Sequence, residues 1–303
     1  MTHQQQKGSR LIADEKHGCN PEMSIINAMS VDIEDYFQVS AFEEHIHRDS
    51  WDRIPCRVVR NTERILELFS TYDVKATFFV LGWIAERYPC LVRSIVDMGH
   101  EIGSHGFEHI RVNRQDQCQF REDIIRTKSL LEDVSGTEVL GYRAASYSIN
   151  GDNLWALNEL QDAGHRYSSS IYPIQHDHYG MPDAPRFAFY PHDKDGLLEI
   201  PISTVSLFGR RFPCGGGGYF RLLPYRLSRW AIAQVNQCDH QSAIFYFHPW
   251  EIDPEQPVQR GLPLKTRFRH YLNLGRMEKR LRMLLRDFRW GRIDEIYIKS
   301  HIR

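Results

Sequence analysis

The sequence predicts a single α/β domain built on a barrel of mainly parallel strands. Short apolar runs rich in Val, Ile and Phe alternate at least five times with amphipathic stretches of helical spacing, the pattern of a parallel sheet with helices outside it. No linker rich in Pro, Gly or Ser divides the 303 residues, and no internal repeat is present. Acids and histidines fall at the C-terminal ends of the apolar runs. Barrels of this kind place their chemistry there, which favours a barrel over an open sheet.

Residues 1–23, polar and containing Gln4-Gln5-Gln6, lack periodicity and are expected to be a disordered extension, leaving 24–303 as the single domain. "SIINAMSVDIED" reads as a buried strand ending in acids. "CRVVRNTERILELFSTYD" carries Val58, Val59, Ile65, Leu66 and Phe69 at helical spacing. "KATFFVLG" is a strand, "IAERYPCLVRSIVDMGH" one helix and "HEIGSH" a short strand. "QFREDIIRTKSLLEDVSG" is a helix closed by Gly136, followed by the strand "VLGYRA". A helix near Asn153–Ala163, a strand near "LLEIPIS", a helix over "RLSRWAIAQVNQ" and a strand over "SAIFYFH" complete the alternation. Near the end, Leu274, Met277, Leu281, Leu284, Leu285 and Phe288 line one face of a helix whose arginines and lysines are expected to form a solvated face.

Composition narrows the function. A net charge of −1 gives no global field to recruit nucleic acid or an anionic surface. No run approaches the eighteen or so apolar residues of a membrane span, and the polar start lacks the apolar middle of a secretory signal. Six scattered cysteines with no CxxC pair suit reduced thiols in the cytoplasm, the expected location, and argue against a cysteine-based zinc site.

Four segments carry the candidate chemistry. "SVDIED" places Asp32, Glu34 and Asp35 at a strand end; strand alternation points Asp32 and Glu34 to one side, while Asp35 follows the turn. "HEIGSHGFEH" supplies His105 and His109, which across one helical turn could share an ion. "GYRAASYS" supplies Arg143 and "FYFHPWEID" supplies His248, each just past a strand. Singly these are weak: HxxxH pairs mostly lie on surfaces or in packing, acid clusters mostly mark solvated turns, and a lone arginine mostly makes a salt bridge. Together, all four end strands of one alternating pattern and so converge on one rim.

In this order, "SVDIEDYF", "SHGFEH", "GYRAASYSI" and "FHPWEID" resemble the motifs of the NodB-type polysaccharide deacetylases, carbohydrate esterase family 4. "SIYPIQHDHYGMPDAPRF", "EIPIST" and "GGGGYFRLLP" look like the branch linked to exosortase-type exopolysaccharide export. The resemblance covers about residues 25–300. It implies a distorted (β/α)7 barrel and metal-dependent hydrolysis of an N-acetyl group on an exopolysaccharide or its precursor, with exopolysaccharide assembly proteins as further partners. It implies a divalent ion, zinc first with cobalt or another ion as alternatives, held by His105, His109 and either Glu34 or Asp35.

The chemistry agrees. Two histidines, a carboxylate and an open position polarise an acyl oxygen and acidify water. Asp32 is the expected base, oriented by Arg143, and His248 the expected acid toward the amine. The Ser146 amide is the expected oxyanion donor. Ala145 stands where the family usually has proline. The acid that orients His248 is open, with Glu199 and Asp177 as candidates, and Tyr246, Phe247 and Trp250 are candidates to wall an acetyl pocket. Two rivals stand beside this reading: an allantoinase-like amidohydrolase, disfavoured by the intact histidine pair, and a non-catalytic glycan-binding barrel, disfavoured by the presence of Asp32 and His248.

Overall fold

The computed structural model describes residues 25–176, 180–192 and 196–299, so the expected extension over 1–23 lies outside the described residues. β1 (Ile26–Ile33) is buried from Asn27 onward. Around it lie β2 (Thr77–Val80), β3 (Glu101–Ser104), β4 (Gly141–Tyr142), β5 (Tyr167–Ser168), β6 (Leu198–Glu199) and β9 (Ile244–Phe247). All pair in parallel, in the order β9-β1-β2-β3-β4-β5-β6. A short final strand, β10 (Arg289–Gly291), pairs in parallel with the first residues of β1. The sheet curls into a half-barrel. Its seam, between β6 and β9, is bridged by Gly216 against Tyr246 and by Ser203 Oγ, which accepts from the Ile244 amide at 2.7 Å. The seam is the distortion that the resemblance implies.

The helices cover the outside: α1 (Val58–Thr71), α2 (Gly82–Arg87), α3 (Pro89–Asp97), α4 (Gln117–Ser135), α5 (Trp155–Asp162), α6 (Gly217–Leu222), α7 (Tyr225–Gln237), α8 (Leu264–Tyr271) and α9 (Leu274–Asp287). The single helix expected over "IAERYPCLVRSIVDMGH" is two, because Pro89 pushes Tyr88 out of the helical region (φ −126°, ψ 55°) and opens a new helix at its own position. α4 begins in a capping box of Asp116 and Gln119 and ends on left-handed Gly136, as its sequence suggested. α9 buries Leu274, Met277, Leu281, Leu284 and Leu285, the face read from the sequence. An antiparallel hairpin, β7 (Thr204–Leu207) with β8 (Arg210–Pro213), was not anticipated. Nor were β5 and β10, two or three residues each and too short to show a period.

The strand-end segment after β9 is fastened to α1 from outside. Asp253, fully buried, accepts from Arg57 Nε at 2.5 Å, from Asn61 Nδ2 at 3.1 Å and from Arg60 at 3.3 Å. Asp253→Ala leaves those donors without their acceptor. It is expected to cost about 2–3 kcal/mol, read as a lower urea midpoint with an unchanged slope.

Candidate functional site

β1 aims alternate side chains at the barrel mouth. Ser30 and Asp32, two apart on one face, both meet Arg143, whose Nη1 donates to Asp32 Oδ1 at 2.6 Å and to Ser30 Oγ at 2.8 Å. Arg143 is fully buried and otherwise held by Ser169, through Nη2 to Oγ at 3.0 Å and Nε to the carbonyl at 3.1 Å. Its guanidinium lies over the Phe79 ring, 4.1 Å from the centroid. A buried carboxylate stripped of such partners would carry a large desolvation cost. Here one oxygen of Asp32 is spent on the arginine, and the other faces His248 Nε2 at 3.9 Å.

Glu34 follows the strand end and keeps to the same side. Glu34, His105 and His109 are all buried, with one ligand atom from each lying within 4.8 Å of the others. Asp35 turns away. Its carboxylate accepts from the amides of Tyr36 (2.8 Å), Arg57 (2.5 Å) and Val58 (2.8 Å) and so caps the start of α1. The histidine pair is not on a helix, as its spacing had suggested. It spans a loop after β3 in which Gly106 (φ +74°) and His109 itself (φ +53°) are left-handed, and this reversal brings the rings to 5.1 Å. A side chain at 106 would also press on the Asp123 carboxylate.

The ring nitrogens explain what the cluster suits. His105 Nδ1 donates to the Arg143 carbonyl at 2.8 Å, leaving its Nε2 a lone pair. His109 Nδ1 lies 3.4 Å from Ser40 Oγ, and its ring also bonds the Gln38 backbone, while Nε2 faces Glu34 Oε2 at 3.1 Å. That carboxylate oxygen is buried and has no hydrogen-bond donor. A lone pair of nitrogen and an anionic oxygen facing each other in a buried place fit a cation between them. Burial holds both imidazoles below the ordinary histidine range, hence neutral, as metal ligands must be. Glu34, His105 and His109 therefore form a possible metal site.

His248 stands on the other side of Glu34, with Nε2 3.3 Å from Glu34 Oε1. Its Nδ1 meets Glu251 Oε1 at 2.8 Å, and the same oxygen accepts from the His248 amide at 3.1 Å. Glu251 is in turn gripped by Arg221, Nε to Oε2 at 2.6 Å. Burial would raise the Glu251 carboxyl, but Arg221 and His248 hold it down to about 2. Burial would lower His248, but Glu34, Glu251 and Asp32 push it up to about 9. Trp250 stacks on the His248 ring at 5.2 Å and aims its indole nitrogen at Glu34 Oε1, 3.4 Å away. The His248 side chain is 18% exposed against 3–4% for Asp32, Glu34 and His109, so access to the site runs past His248.

The orienting acid left open by the sequence is Glu251. The sequence signal was present: His248 and Glu251 stand three apart behind Pro249, the spacing of a capping box at the mouth of a helical turn. Glu199 instead accepts from the amides of Ser170 (2.9 Å) and Ile171 (2.8 Å), fixing the segment that supplies Ser169 to Arg143. Asp177 lies outside the described residues. Of the three aromatics, Trp250 stacks on His248 and Tyr246 meets its edge, whereas Phe247 is in the core against Phe69 and Phe245. Ser146 lies in the turn Ala145–Tyr147 with φ 52°, its hydroxyl donating to Ser40 Oγ at 2.7 Å. Gly217, in the glycine run, passes so close to the Glu251 carboxylate that no side chain fits there.

Residues 49–167 match the family model described as polysaccharide deacetylase, and residues 169–298 match a domain of unknown function, DUF3473. A peptidoglycan-N-acetylglucosamine deacetylase of Bacillus cereus is 37% identical over 75 residues, covering 25% of this chain and 27% of that relative. A peptidoglycan deacetylase of Helicobacter pylori is 33% identical over 81 residues, covering 27% of this chain and 28% of its own. The family model and the relatives support the polysaccharide deacetylase family. The chain spans about a quarter to a third of the length of these relatives. Among solved structures, one from Mycobacterium smegmatis described as a polysaccharide deacetylase aligns with TM-score 0.59 at 19% identity, over 91% of this chain and 90% of that one. Puue allantoinase aligns with TM-score 0.57 at 15% identity, over 98% of both chains. These two likenesses show the α/β fold with its curled parallel sheet.

Two outcomes follow from the cluster. Glu34→Gln and His109→Ala should each lower metal content on purification, and Glu34→Gln should weaken binding in a chelator titration more than Asp35→Asn does; the reverse order would make Asp35 the ligand. Burial raises Glu34 to about 7, and Glu34 helps to hold the His248 proton up at about 9. A cation favours the ionised carboxylate and cancels part of the charge that retains that proton. Metal binding near pH 7 should therefore release protons, measured by titration calorimetry in buffers of different ionisation enthalpy.

Proposed function

We propose that this protein is a metal-dependent de-N-acetylase that acts on N-acetylhexosamine units of an exopolysaccharide or its precursor, in the branch associated with exosortase-type export. The observation that carries the reading is the juxtaposition of two differently poised groups, Asp32 held by Arg143 and His248 held by Glu251, across the Glu34–His105–His109 cluster. Amide hydrolysis needs that division, because the attacking water must lose a proton and the departing nitrogen must gain one. The names of the relatives, deacetylases of peptidoglycan, support the N-acetyl chemistry.

A divalent ion bound by Glu34, His105 and His109 would polarise the acyl oxygen and acidify water beside Asp32. Asp32 keeps one oxygen on Arg143 and presents the other to the pocket, where it can take the proton of attacking water. His248, its Nδ1–H tied to Glu251, presents Nε2 to the pocket and can deliver a proton to the amine nitrogen. The Tyr147 and Ser148 amides are committed to the Ala144 and Ala145 carbonyls, and we assign the Ser146 amide as the donor to the developing oxyanion.

The test is acetate release from N-acetylated glucosamine oligomers and from the exopolysaccharide, with and without chelator and with zinc or cobalt restored. Allantoin serves as the competing substrate; its turnover without acetate release would overturn the reading. Asp32→Asn should lose roughly 10²–10⁴ in turnover, the scale of a general acid–base group, while metal stays bound. His248→Ala should lose as much on the N-acetyl sugar but far less on an aryl acetate, whose phenolate leaves without a proton. Equal loss on both substrates would make His248 a binding or structural residue. Glu251→Gln removes one of the anions that raise His248. The alkaline limb of the rate should then move to lower pH, with the acid limb unmoved.

A further inference from the structure

The packing of the molecule leaves α8 largely unexplained. Of its eight residues only His270 is buried, stacked on Trp250 at 4.2 Å and bonded to Gln256 Oε1 at 2.7 Å. Arg221 donates to the carbonyls of Arg269, His270 and Leu272, so the helix is fastened by its C-terminal end. Its large apolar side chains, Leu264 and Phe268, stand one turn apart on one face and are 83% and 60% exposed. Val258, in the preceding loop, is 55% exposed. A two-turn helix is marginal in water, and one that turns Leu and Phe to solvent gains nothing from them. Shallow grooves of about 340 and 370 Å³ flank it, both lined by Arg267 and Tyr271.

Charge points to the occupant. Residues 258–273, which contain the apolar pair and its flanks, hold Arg260, Lys265, Arg267 and Arg269 and no Asp or Glu, in a chain whose net charge is −1. We propose that α8 and the Val258 loop form a docking surface for an anionic phospholipid bilayer, with Leu264 and Phe268 entering the headgroup region and the surrounding cations meeting lipid phosphates. Exposed apolar residues set within a basic face are the pattern of interfacial binding. A soluble polyanion would leave the apolar pair without a role. A second copy of the chain would bring two basic faces together. The docked helix lies next to the site, since His270 stacks on Trp250 and Trp250 on His248. A glycan carried at the bilayer surface would thus be presented near the access side.

The experiment is co-sedimentation of the full chain with phosphatidylcholine vesicles, with and without phosphatidylglycerol. Binding should require phosphatidylglycerol and weaken with salt. The double variant Leu264→Ser/Phe268→Ser should lose at least about tenfold in affinity, and Arg267→Glu a comparable amount, with melting curves and turnover of a soluble substrate unchanged. Ile125→Ser, an exposed apolar side chain on α4, is the control and should bind as the unaltered chain does. The proposal fails if neutral vesicles bind equally, if Ile125→Ser loses as much, or if no vesicle binds. It also fails if the double variant binds anionic vesicles normally while heparin competes, an outcome that would assign the face to a soluble polyanion.

Discussion

Everything at the barrel mouth depends on one constraint: three buried carboxylates, Asp32, Glu34 and Glu251, must be balanced within a few ångströms of one another. Two guanidiniums serve two of them. Arg143 takes Asp32, and Arg221 takes Glu251. Glu34 has no arginine at this site, only the indole of Trp250 and two imidazoles with lone pairs or shared protons to offer. Its charge is matched either by the proton on His248 or by a cation among Glu34, His105 and His109. The arginines thus fix Asp32 directly and His248 through Glu251, and the unmatched carboxylate marks where a cation would fit.

The same accounting explains how distant parts of the chain are coordinated. Asp32 sits on β1, its arginine just past β4, and the serine that holds the arginine just past β5, itself set in place by Glu199 from β6. His248 follows β9, its carboxylate partner is in the next turn, and the arginine that pins that partner comes from α6. The polysaccharide deacetylase match ends at 167 and the second match begins at 169. His105, His109 and Arg143 come from the first stretch, whereas Ser169, Arg221, His248 and Glu251 come from the second. Asp32 and Glu34 precede both stretches, so the cluster is assembled from three parts of the chain.

Much of this was legible in the sequence because the chemistry sits at strand ends, where alternation and position are readable. Asp32 and Glu34 facing one way is a period-two argument, and the mainly parallel sheet needed only apolar runs alternating with helical stretches. What escaped was set by tertiary contact. The histidine pair looked helical because four residues match one helical turn, yet two left-handed residues, one of them His109, close the loop instead. β5 and β10 carry too few residues to show a period. Arg221 could not be assigned from sequence, since its partner lies thirty residues away and the glycine run before it shows no helical period. Glu251 was readable from its capping-box spacing behind His248.

The glycine run 215–218 shows how little slack the acid end has. Gly217 approaches the Glu251 carboxylate more closely than any side chain could, and Gly216 lies close against the Tyr246 ring. The chain can run beside β9 at this point only because those residues lack Cβ, and that path carries Arg221 onto Glu251 a turn later. Glu251 is therefore confined by backbone on one side and by a buried arginine on another, with His248 on its remaining oxygen. A carboxylate so enclosed cannot swing away when the histidine changes charge. The His248 imidazole is thus held through Nδ1, with Nε2 aimed at the pocket.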